Sequence, residues 1–221
     1  VTLSSATATG NSNTLNMDST SVIETFTLNG GNLDFTAGTI NTLTNDSGAA
    51  AAGKGAAFGA VINSGVFTLD GGRADSISSS DNLTVNSGFV ETVVVSGGSL
   101  TISGGNINTV ENSGTAAFNG GTVTNFGNTV SGTLNLSGSA AVAERLTNDG
   151  VLTITGGNVE ALTNTGANAT ISGGKVNAIT NSGSNLAVSG GSIGDVMNEA
   201  SGSIDASGGT FGKIDNFGDL H

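Results

Sequence analysis

"GVLTITGGNVEALTNTG" (150–166) and "ANATISGGKVNAITNSG" (167–183) follow each other in the chain and align without a gap. "SNLAVSGGSIGDVMNEA" (184–200) continues the alignment, and "SGSIDASGGTFGKIDNFG" (201–218) follows with one extra residue. The common form is Φ-x-Φ-x-G-G-x-Φ-x-x-Φ-x-N-x-G, where Φ is apolar, and its period of about 17 indicates a repeat architecture. Earlier windows of this form are "NLDFTAGTINTLTNDSG" (32–48), "GSLTISGGNINTVENSG" (98–114) and "TAAFNGGTVTNFGNTVS" (115–131).

The repeat unit has the features of a coil made of short strands. Leu152 and Ile154 are two residues apart, so both side chains face one side of a strand. The Gly-Gly pair at 156–157 can adopt positive φ and turn a corner. Val159 and Leu162 are three residues apart, which breaks the alternation and predicts a second bend.

An asparagine recurs two residues after the last apolar position, where its side chain points inward just before the next turn. An amide carries both donors and acceptors, so stacked copies can bond each other and the turn backbone, satisfying polar groups that are costly to bury unpaired. We therefore predict an internal asparagine ladder at one corner. Its members are Asn45, Asn63, Asn112, Asn128, Asn148, Asn164, Asn181, Asn198 and Asn216.

These features predict an all-β fold, a single-stranded parallel β-helix (β-solenoid) with about 17 residues per coil and about a dozen coils ~4.8 Å apart. We take right-handed coiling as the default. An α-helical solenoid is disfavoured because Gly-Gly recurs within the repeat and Thr, Val and Ile dominate the apolar stretches. We expect one β-helix domain over 1–221, with residues 1–14 as an N-terminal cap or a partly ordered leader and 15–218 as repeat coils.

The composition excludes several classes of function. The 221 residues include 17 acids and 5 bases, a net charge of −12 that weighs against a nucleic-acid partner. There is no Cys for thiolate metal sites or disulfides, and the one His, His221, argues against imidazole-based zinc or triad chemistry. We expect no cofactor and no enzymatic activity. The sequence has no apolar run long enough to span a bilayer.

"GAAAAGKG" (48–55) approximates a phosphate-binding loop, G-x-x-x-x-G-K. That loop needs Ser or Thr after the Lys and a helix behind it, whereas Gly55 stands at the hydroxyl position and no helix is predicted. "AAAAGKGAAFGAVINSG" (49–65) instead aligns as one more coil, with Phe58 and Val61 pointing inward. We expect no nucleotide to bind, and we expect the Ala/Gly half to replace the first strand with a small-residue bend.

Two carboxylate pairs share columns of the predicted coil: Asp75 with Glu91, and Glu144 with Glu160, with Arg145 beside the second pair. Carboxylates ~5 Å apart are the arrangement of retaining glycosidases, so a polysaccharide-active β-helix of tailspike or lyase type is one alternative function. A sugar-cleaving groove normally offers aromatic platforms, and the chain has no Trp or Tyr. We favour the interpretation that these acids are solvated surface groups. A weak calcium site is the second interpretation, and catalysis is the least favoured.

Threonines recur in the outward column between the first two apolar positions. Solenoid ice-binding proteins present regularly spaced Thr side chains on a flat sheet, so an ice-binding solenoid is a second alternative function. The same column also holds Asp34, Ala117 and Asn135, so it is not uniform, and Thr is a good exposed strand residue in any case. The candidate surface-binding residues are Thr68, Thr84, Thr101, Thr153 and Thr170.

"VFTLDGGRADSISSSDNLTVNSGFVETVVVSGGSLTISGG" (66–105) resembles the passenger region of AIDA-type self-associating autotransporter adhesins of Gram-negative bacteria. The shared features are the GG-x-A-D step after a strand, then "LTVNSG" and "TVVVSGG"; the period here is shorter than that of the family. Such passengers are right-handed parallel β-helices, secreted through an outer-membrane barrel, that promote adhesion, cell–cell aggregation and biofilm formation. Some are glycosylated on Ser or Thr.

The resemblance implies a non-enzymatic, extracellular bacterial surface adhesin or structural rod that mediates adhesion, self-association or biofilm formation. It also implies attachment to the outer membrane through a part of the protein outside this sequence. The expected partners are host-cell or bacterial surface molecules, including a second copy, bound through polar Asn, Thr and Ser ladders by many weak contacts. Four N-x-S/T triplets start at Asn45, Asn82, Asn135 and Asn168, and short polar residues on a solenoid surface explain them.

Overall fold

A computed structural model of the chain describes residues 2–3, 6–9, 13–15 and 17–221. The described residues form strands, turns and bends and contain no helix. The chain divides into two compact units, Val1–Asn108 and Thr109–His221. Within each unit, strands pair in parallel with strands one coil further along, about 17 residues later. The predicted parallel β-solenoid is therefore confirmed, while the hand of its coiling stays a prediction.

The strands are short, and most coils have two. The first unit contains β1 (Thr2–Leu3), β2 (Ala6–Thr9), β3 (Asn13–Leu15), β4 (Val22–Asn29), β5 (Gly31–Phe35), β6 (Thr39–Asn45), β7 (Ala49–Gly53), β8 (Ala57–Asn63), β9 (Val66–Ser79), β10 (Asn82–Val95), β11 (Ser99–Ile102) and the start of β12 (Asn106–Asn112). The second contains the end of β12 and β13 (Thr115–Phe118), β14 (Thr122–Asn128), β15 (Thr133–Leu136), β16 (Ala141–Asn148), β17 (Val151–Ile154), β18 (Asn158–Asn164), β19 (Asn168–Ile171), β20 (Lys175–Asn181), β21 (Leu186–Asn198), β22 (Ser203–Phe211), β23 (Ile214–Asn216) and β24 (Asp219–Leu220).

One coil of the second unit, β17 and β18, shows how the repeat folds. In β17, Leu152 and Ile154 are buried and pair in register with Ala169 and Ile171 of the next coil. In β18, Val159 and Leu162 are buried with two outward residues between them, as the predicted second bend requires. The turn that joins the two strands needs glycine. In the next coil, Gly174 has φ +77°, and a Cβ on Gly173 would lie 2.4 Å from a backbone oxygen.

The predicted asparagine ladder is confirmed, and in the second unit it forms one run of seven. The Nδ2 of each buried amide donates to the Oδ1 of the next: Asn148 to Asn164 at 2.8 Å and Asn164 to Asn181 at 2.8 Å. The same Nδ2 also donates to the carbonyl oxygen two residues on, as in Asn164 to Gly166 at 3.3 Å. The run comprises Asn112, Asn128, Asn148, Asn164, Asn181, Asn198 and Asn216, of which the last is exposed.

The run in the first unit is shorter because other residues occupy the same inward position. Asn45 donates to Asn63 at 2.7 Å, and Asn63 donates to the hydroxyl of Ser79 at 2.9 Å. Leu28 takes the position one coil before Asn45 in this unit, and Val95 takes it one coil after Ser79. Every amide of the ladder donates to the next one along the chain. The Oδ1 of the first amide in a run therefore receives no hydrogen bond from a preceding amide. Among the described side chains, the buried Oδ1 atoms of Asn45 and Asn112 are the two without a hydrogen-bond partner.

The expected bend at 49–53 is wrong: these residues form strand β7. Ala51 and Gly53 point inward and leave a space that Phe58 of β8 fills, because a Cβ on Gly53 would lie 2.6 Å from the Phe58 ring. The Phe58 ring meets Phe35 and Phe67 edge-on, with centroids 5.8 and 5.6 Å apart. The small side chains therefore make room in the core and leave the backbone extended.

The described residues before 17 also form strands. β1 and β2 pair in parallel with β4, and β3 pairs in parallel with β5. The predicted cap or leader over 1–14 falls partly outside the described residues, and its role stays a prediction.

We expect Asn164→Ala to lower the free energy of unfolding by about 1–3 kcal/mol, because it leaves the Oδ1 of Asn181 buried without a donor. Thr163→Ala, at the neighbouring outward position, is the control and should change stability by no more than about 0.5 kcal/mol. Urea denaturation followed by circular dichroism measures both. Equal midpoints for the two variants would show that the ladder does not stabilise the coil.

We expect Gly53→Ala to cost about 1–3 kcal/mol, because the added methyl group meets the Phe58 ring, which its two aromatic neighbours hold in place. Ala52→Val, which adds bulk at the adjacent outward position, is the control and should be close to neutral. Adding Phe58→Leu to the Gly53→Ala variant should cost less than the sum of the two single changes. Additive costs in this double-mutant cycle would contradict the packing explanation.

Candidate functional site

The five candidate threonines lie where the sequence predicts them, in outward columns. In the first unit, Thr68, Thr84 and Thr101 pair in register on three successive coils. In the second unit, Thr153 and Thr170 pair in register between Asn135 and Ala187. Side chains in such a column repeat at the spacing of neighbouring strands, ~4.8 Å. Each unit therefore presents a row of hydroxyl groups, which the Asn135 amide extends in the second unit, and the binding role of these rows stays a prediction.

A second threonine column lies on the last strand segment of each coil, and sequence reasoning missed it. Thr147, Thr163 and Thr180 pair in register on β16, β18 and β20, each directly before a ladder asparagine. In the first unit, Thr27 and Thr44 take the same position. The signal was present in the triplets "LTN" and "ITN", because a residue between two inward positions must point outward.

In the second unit, the first strand segment of each coil carries no charged residue over five successive coils. We call this surface the neutral face. It comprises the outward side chains of 115–119, 133–137, 151–155, 168–172 and 185–189. Its outward residues are Thr, Ser, Asn, Ala and Val, and Ser137 donates to the Oδ1 of Asn119 at 2.8 Å. Val151 is its most prominent apolar side chain, with 41% of its surface exposed. The face is thus flat, polar and uncharged.

The acids of the second unit lie outside the neutral face, and several form carboxylate–amide pairs between coils. Asn177 donates to Glu160 at 2.5 Å, and Asn125 donates to Glu144 at 3.4 Å. The first unit has the same arrangement in Asn41 with Glu24 and Asn108 with Glu91, at 2.5 and 2.9 Å. An amide next to a carboxylate supplies a donor where a second carboxylate would repel.

The four carboxylates considered for sugar cleavage are each engaged with a neighbour. Asp75 binds Arg73 at 2.9 Å, and the Arg73 guanidinium also lies 5.4 Å from the centre of the Phe89 ring. Glu91, Glu144 and Glu160 accept hydrogen bonds from asparagines. The register places Asp75 and Glu91 one coil apart, since the residues on either side of them pair. Asp75 and Glu91 therefore share a column, as predicted. The register of β16 with β18 shifts between Val142 and Leu146, so the shared column of Glu144 and Glu160 stays a prediction. Catalysis at either pair is an untested alternative.

Lys54, the lysine of the phosphate-loop look-alike, is bound to a carboxylate. Its Nζ lies 2.8 Å from the Oδ2 of Asp34, and the residues before it form β7. This hydrogen bond and the charge of Asp34 raise the pKa of Lys54 above its ordinary 10.5. A raised Lys pKa favours the folded state only while the ammonium is charged, so the effect is present below pH 10.5 and is lost above it. Both groups are exposed, which makes the effect small.

Two other surface groups have shifted pKa values. The hydroxyls of Thr20 and Ser21 donate to Asp18 at 2.7 and 3.0 Å and lower the pKa of that carboxyl. Asp215 accepts a 2.7 Å hydrogen bond from Lys213 and raises the pKa of that amine. These are local hydrogen bonds in exposed turns and strands.

Within the described part of the chain, no three His, Asp or Glu side chains lie close enough to hold a metal ion. That same part has no helix with the length and apolar character needed to cross a membrane.

No protein-family model, no curated protein and no solved structure matches the chain.

We expect Asn177→Asp to reduce stability by about 0.2–1 kcal/mol at pH 7, because it places a second carboxylate against Glu160. Asn168→Asp, on the neutral face, adds the same charge away from other acids and is the control. The difference between the two variants should shrink as salt is raised, because salt screens the repulsion between exposed charges. Thermal unfolding at low and at high salt measures it. A difference that persists at high salt would point to a lost hydrogen bond as its cause.

Proposed function

We propose that this chain is a non-enzymatic part of an extracellular bacterial surface adhesin, which mediates adhesion, self-association or biofilm formation. Outward hydroxyl and amide groups, arrayed in register on successive coils of each unit, are the observation that carries this proposal. Such an array offers many equivalent weak contacts. Multivalent contact of this kind gives strong attachment without a deep pocket.

The interior supports the same function. Buried amides link one coil to the next within each unit, so the outward side chains are held at fixed positions. Fixed groups lose little conformational entropy when a partner binds, which favours attachment through small polar residues. The resemblance of 66–105 to self-associating adhesin passengers supports the same function and a location at the bacterial cell surface.

Display on the surface of a bacterium that does not clump by itself tests this proposal. We expect the displayed chain to increase settling of the culture, biofilm on plastic or attachment to cultured host cells. Asn164→Ala, displayed in the same amount, is a destabilised comparison variant, and the adhesion that it gives should be lost at a lower temperature than that of the wild-type chain. A folded, displayed chain that changes none of the three readouts would overturn the proposal.

Two measurements separate the proposal from its alternatives. Release of reducing ends from surface polysaccharides, abolished by Glu91→Gln or Glu160→Gln, would indicate a polysaccharide-cleaving enzyme. Thermal hysteresis of the purified chain, abolished by Thr153→Tyr, would indicate ice binding. We expect neither activity.

A further inference from the structure

The tripeptide Asn-Gly-Gly occurs twice in the chain, at 29–31 and at 119–121, each time after an apolar residue. An asparagine that precedes glycine is the least hindered site for deamidation, because glycine has no Cβ beside the backbone nitrogen that attacks. On sequence alone, the two sites should react alike. We propose that the fold separates them: Asn29 is a site of spontaneous deamidation, with water as the co-reactant, whereas Asn119 is protected.

The reaction needs only two neighbouring residues and water. The backbone nitrogen of Gly30 attacks the Cγ of Asn29 and loses its proton, and the bond from Cγ to Nδ2 breaks as ammonia leaves with that proton. One water then opens the cyclic imide at either of its carbonyl carbons. The product is aspartate, or isoaspartate with the main chain running through Cγ. No atom is oxidised or reduced, and each event adds one negative charge to a chain that carries −12.

The surroundings of Asn29 leave room for this ring to close. Asn29 is exposed and is the last residue of β4. It leads into a bend in which Gly30 and Gly31 have φ +82° and +76°, a conformation that glycine adopts without steric cost. A Cβ on Gly30 would meet no atom of the described residues within 4 Å. The side chain of Asn29 and the attacking nitrogen can therefore approach each other without displacing a described neighbour.

Asn119 is exposed as well, but contacts with the following coil hold it in place. The hydroxyl of Ser137 donates to its Oδ1 at 2.8 Å, and the backbone nitrogen of Ser139 donates to its carbonyl oxygen at 3.1 Å. Gly120, which would supply the attacking nitrogen, is buried, and a Cβ on Gly138 would lie 2.4 Å from the Asn119 carbonyl oxygen. Ring closure here must break the Ser137 hydrogen bond and open the stack locally.

The buried asparagines of the ladder are protected in two ways. The Nδ2 of Asn164 donates to Asn181 and Gly166, and its Oδ1 accepts a hydrogen bond from the preceding ladder amide. The residue that follows a ladder asparagine also carries a Cβ in every coil, which hinders attack by its nitrogen. These residues are Asp46, Ser64, Ser113, Thr129, Asp149, Thr165, Ser182, Glu199 and Phe217. Deamidation at Asn29 therefore occurs outside the ladder and places no carboxylate in the core.

Deamidation at Asn29 changes the charge of one corner of the coil. Leu28 and Asn45 pair in register. Asn29 and Asp46 follow them in the chain and therefore lie on neighbouring coils, whose strands are ~4.8 Å apart. The neutral amide of Asn29 is a compatible neighbour for the Asp46 carboxylate, whereas the aspartate product puts a like charge beside it, which destabilises a strand pair. Ageing should therefore loosen this corner of the first unit.

Ageing of the full chain in mildly alkaline buffer, followed by mass spectrometry of its peptides, measures the fraction of each asparagine that has lost ammonia. In the folded chain we expect Asn29 to convert at least about tenfold faster than Asn119, because Asn119 must first lose the Ser137 hydrogen bond and open the stack. The same chain unfolded in urea is the matched control. Both sites have the sequence Asn-Gly-Gly, so without the fold they should convert at similar rates.

Two outcomes would overturn the assignment of Asn29: equal rates at the two sites in the folded chain, or a folded chain whose Asn29 stays intact while the chain in urea converts. Ser137→Ala tests the source of the protection. It should raise the rate at Asn119 and leave the rate at Asn29 unchanged. An Asn119 rate that does not rise would contradict a protective role of this hydrogen bond.

Asn29→Asp makes the aspartate product directly and measures its consequence. We expect it to lower the unfolding temperature, and to lower it less in an Asp46→Asn background, where no carboxylate lies beside the new one. Raising the salt concentration should narrow the gap between the two backgrounds. Equal losses in both backgrounds would overturn the repulsion at this corner. Deamidation of the purified chain and adhesion of displaying cells are separate readouts, so either can fail without the other.

Discussion

The hydrogen bond from the Nδ2 of one buried asparagine to the Oδ1 of the next is the interaction on which the rest of the structure depends. Asn164 shows its two parts: it donates to Asn181 on the following coil and to Gly166 at its own turn. Because the amide is wholly buried, its polar atoms must find partners inside the protein. The partner on the following coil, Asn181, is in reach only when the two coils lie in register. The ladder therefore sets how one coil lies on the next, and the apolar core contributes burial without that directional requirement.

Register in turn decides what each surface displays. Once coils are aligned, a single position of the repeat becomes a column, and its chemistry is repeated along the unit. Over five coils of the second unit the position of Thr153 is neutral, whereas the position of Glu160 holds an acid bonded to Asn177 on the following coil. The second unit can thus keep one face free of charge over five coils by restricting the residue types at a few repeat positions.

The repeat period was sufficient to predict the solenoid, the ladder and the outward threonines, because inward and outward positions follow from strand alternation alone. The strand at 49–53 escaped prediction since small residues carry no apolar signal, and the side chain that fills their space, Phe58, belongs to another strand. The carboxylate–amide pairs were not predicted, because only the acidic residues were compared between coils and the asparagines one coil away were left out. The second threonine column could have been predicted, because each of its residues lies between two inward positions of the repeat. Function depends on a partner's chemistry, which strand alternation does not encode.

The one-way orientation of the ladder has an evolutionary consequence. Unsatisfied acceptors occur at Asn45 and Asn112, the two amides that begin a run. Duplicating a repeat inside a run adds one donor and one acceptor together and leaves the number of orphaned oxygens unchanged. Replacing an internal asparagine by an apolar residue starts a new run and adds another. Selection against orphaned oxygens would therefore tolerate growth in copy number within a run and resist its fragmentation, so lineages that lengthen this protein should do so inside the seven-amide stretch.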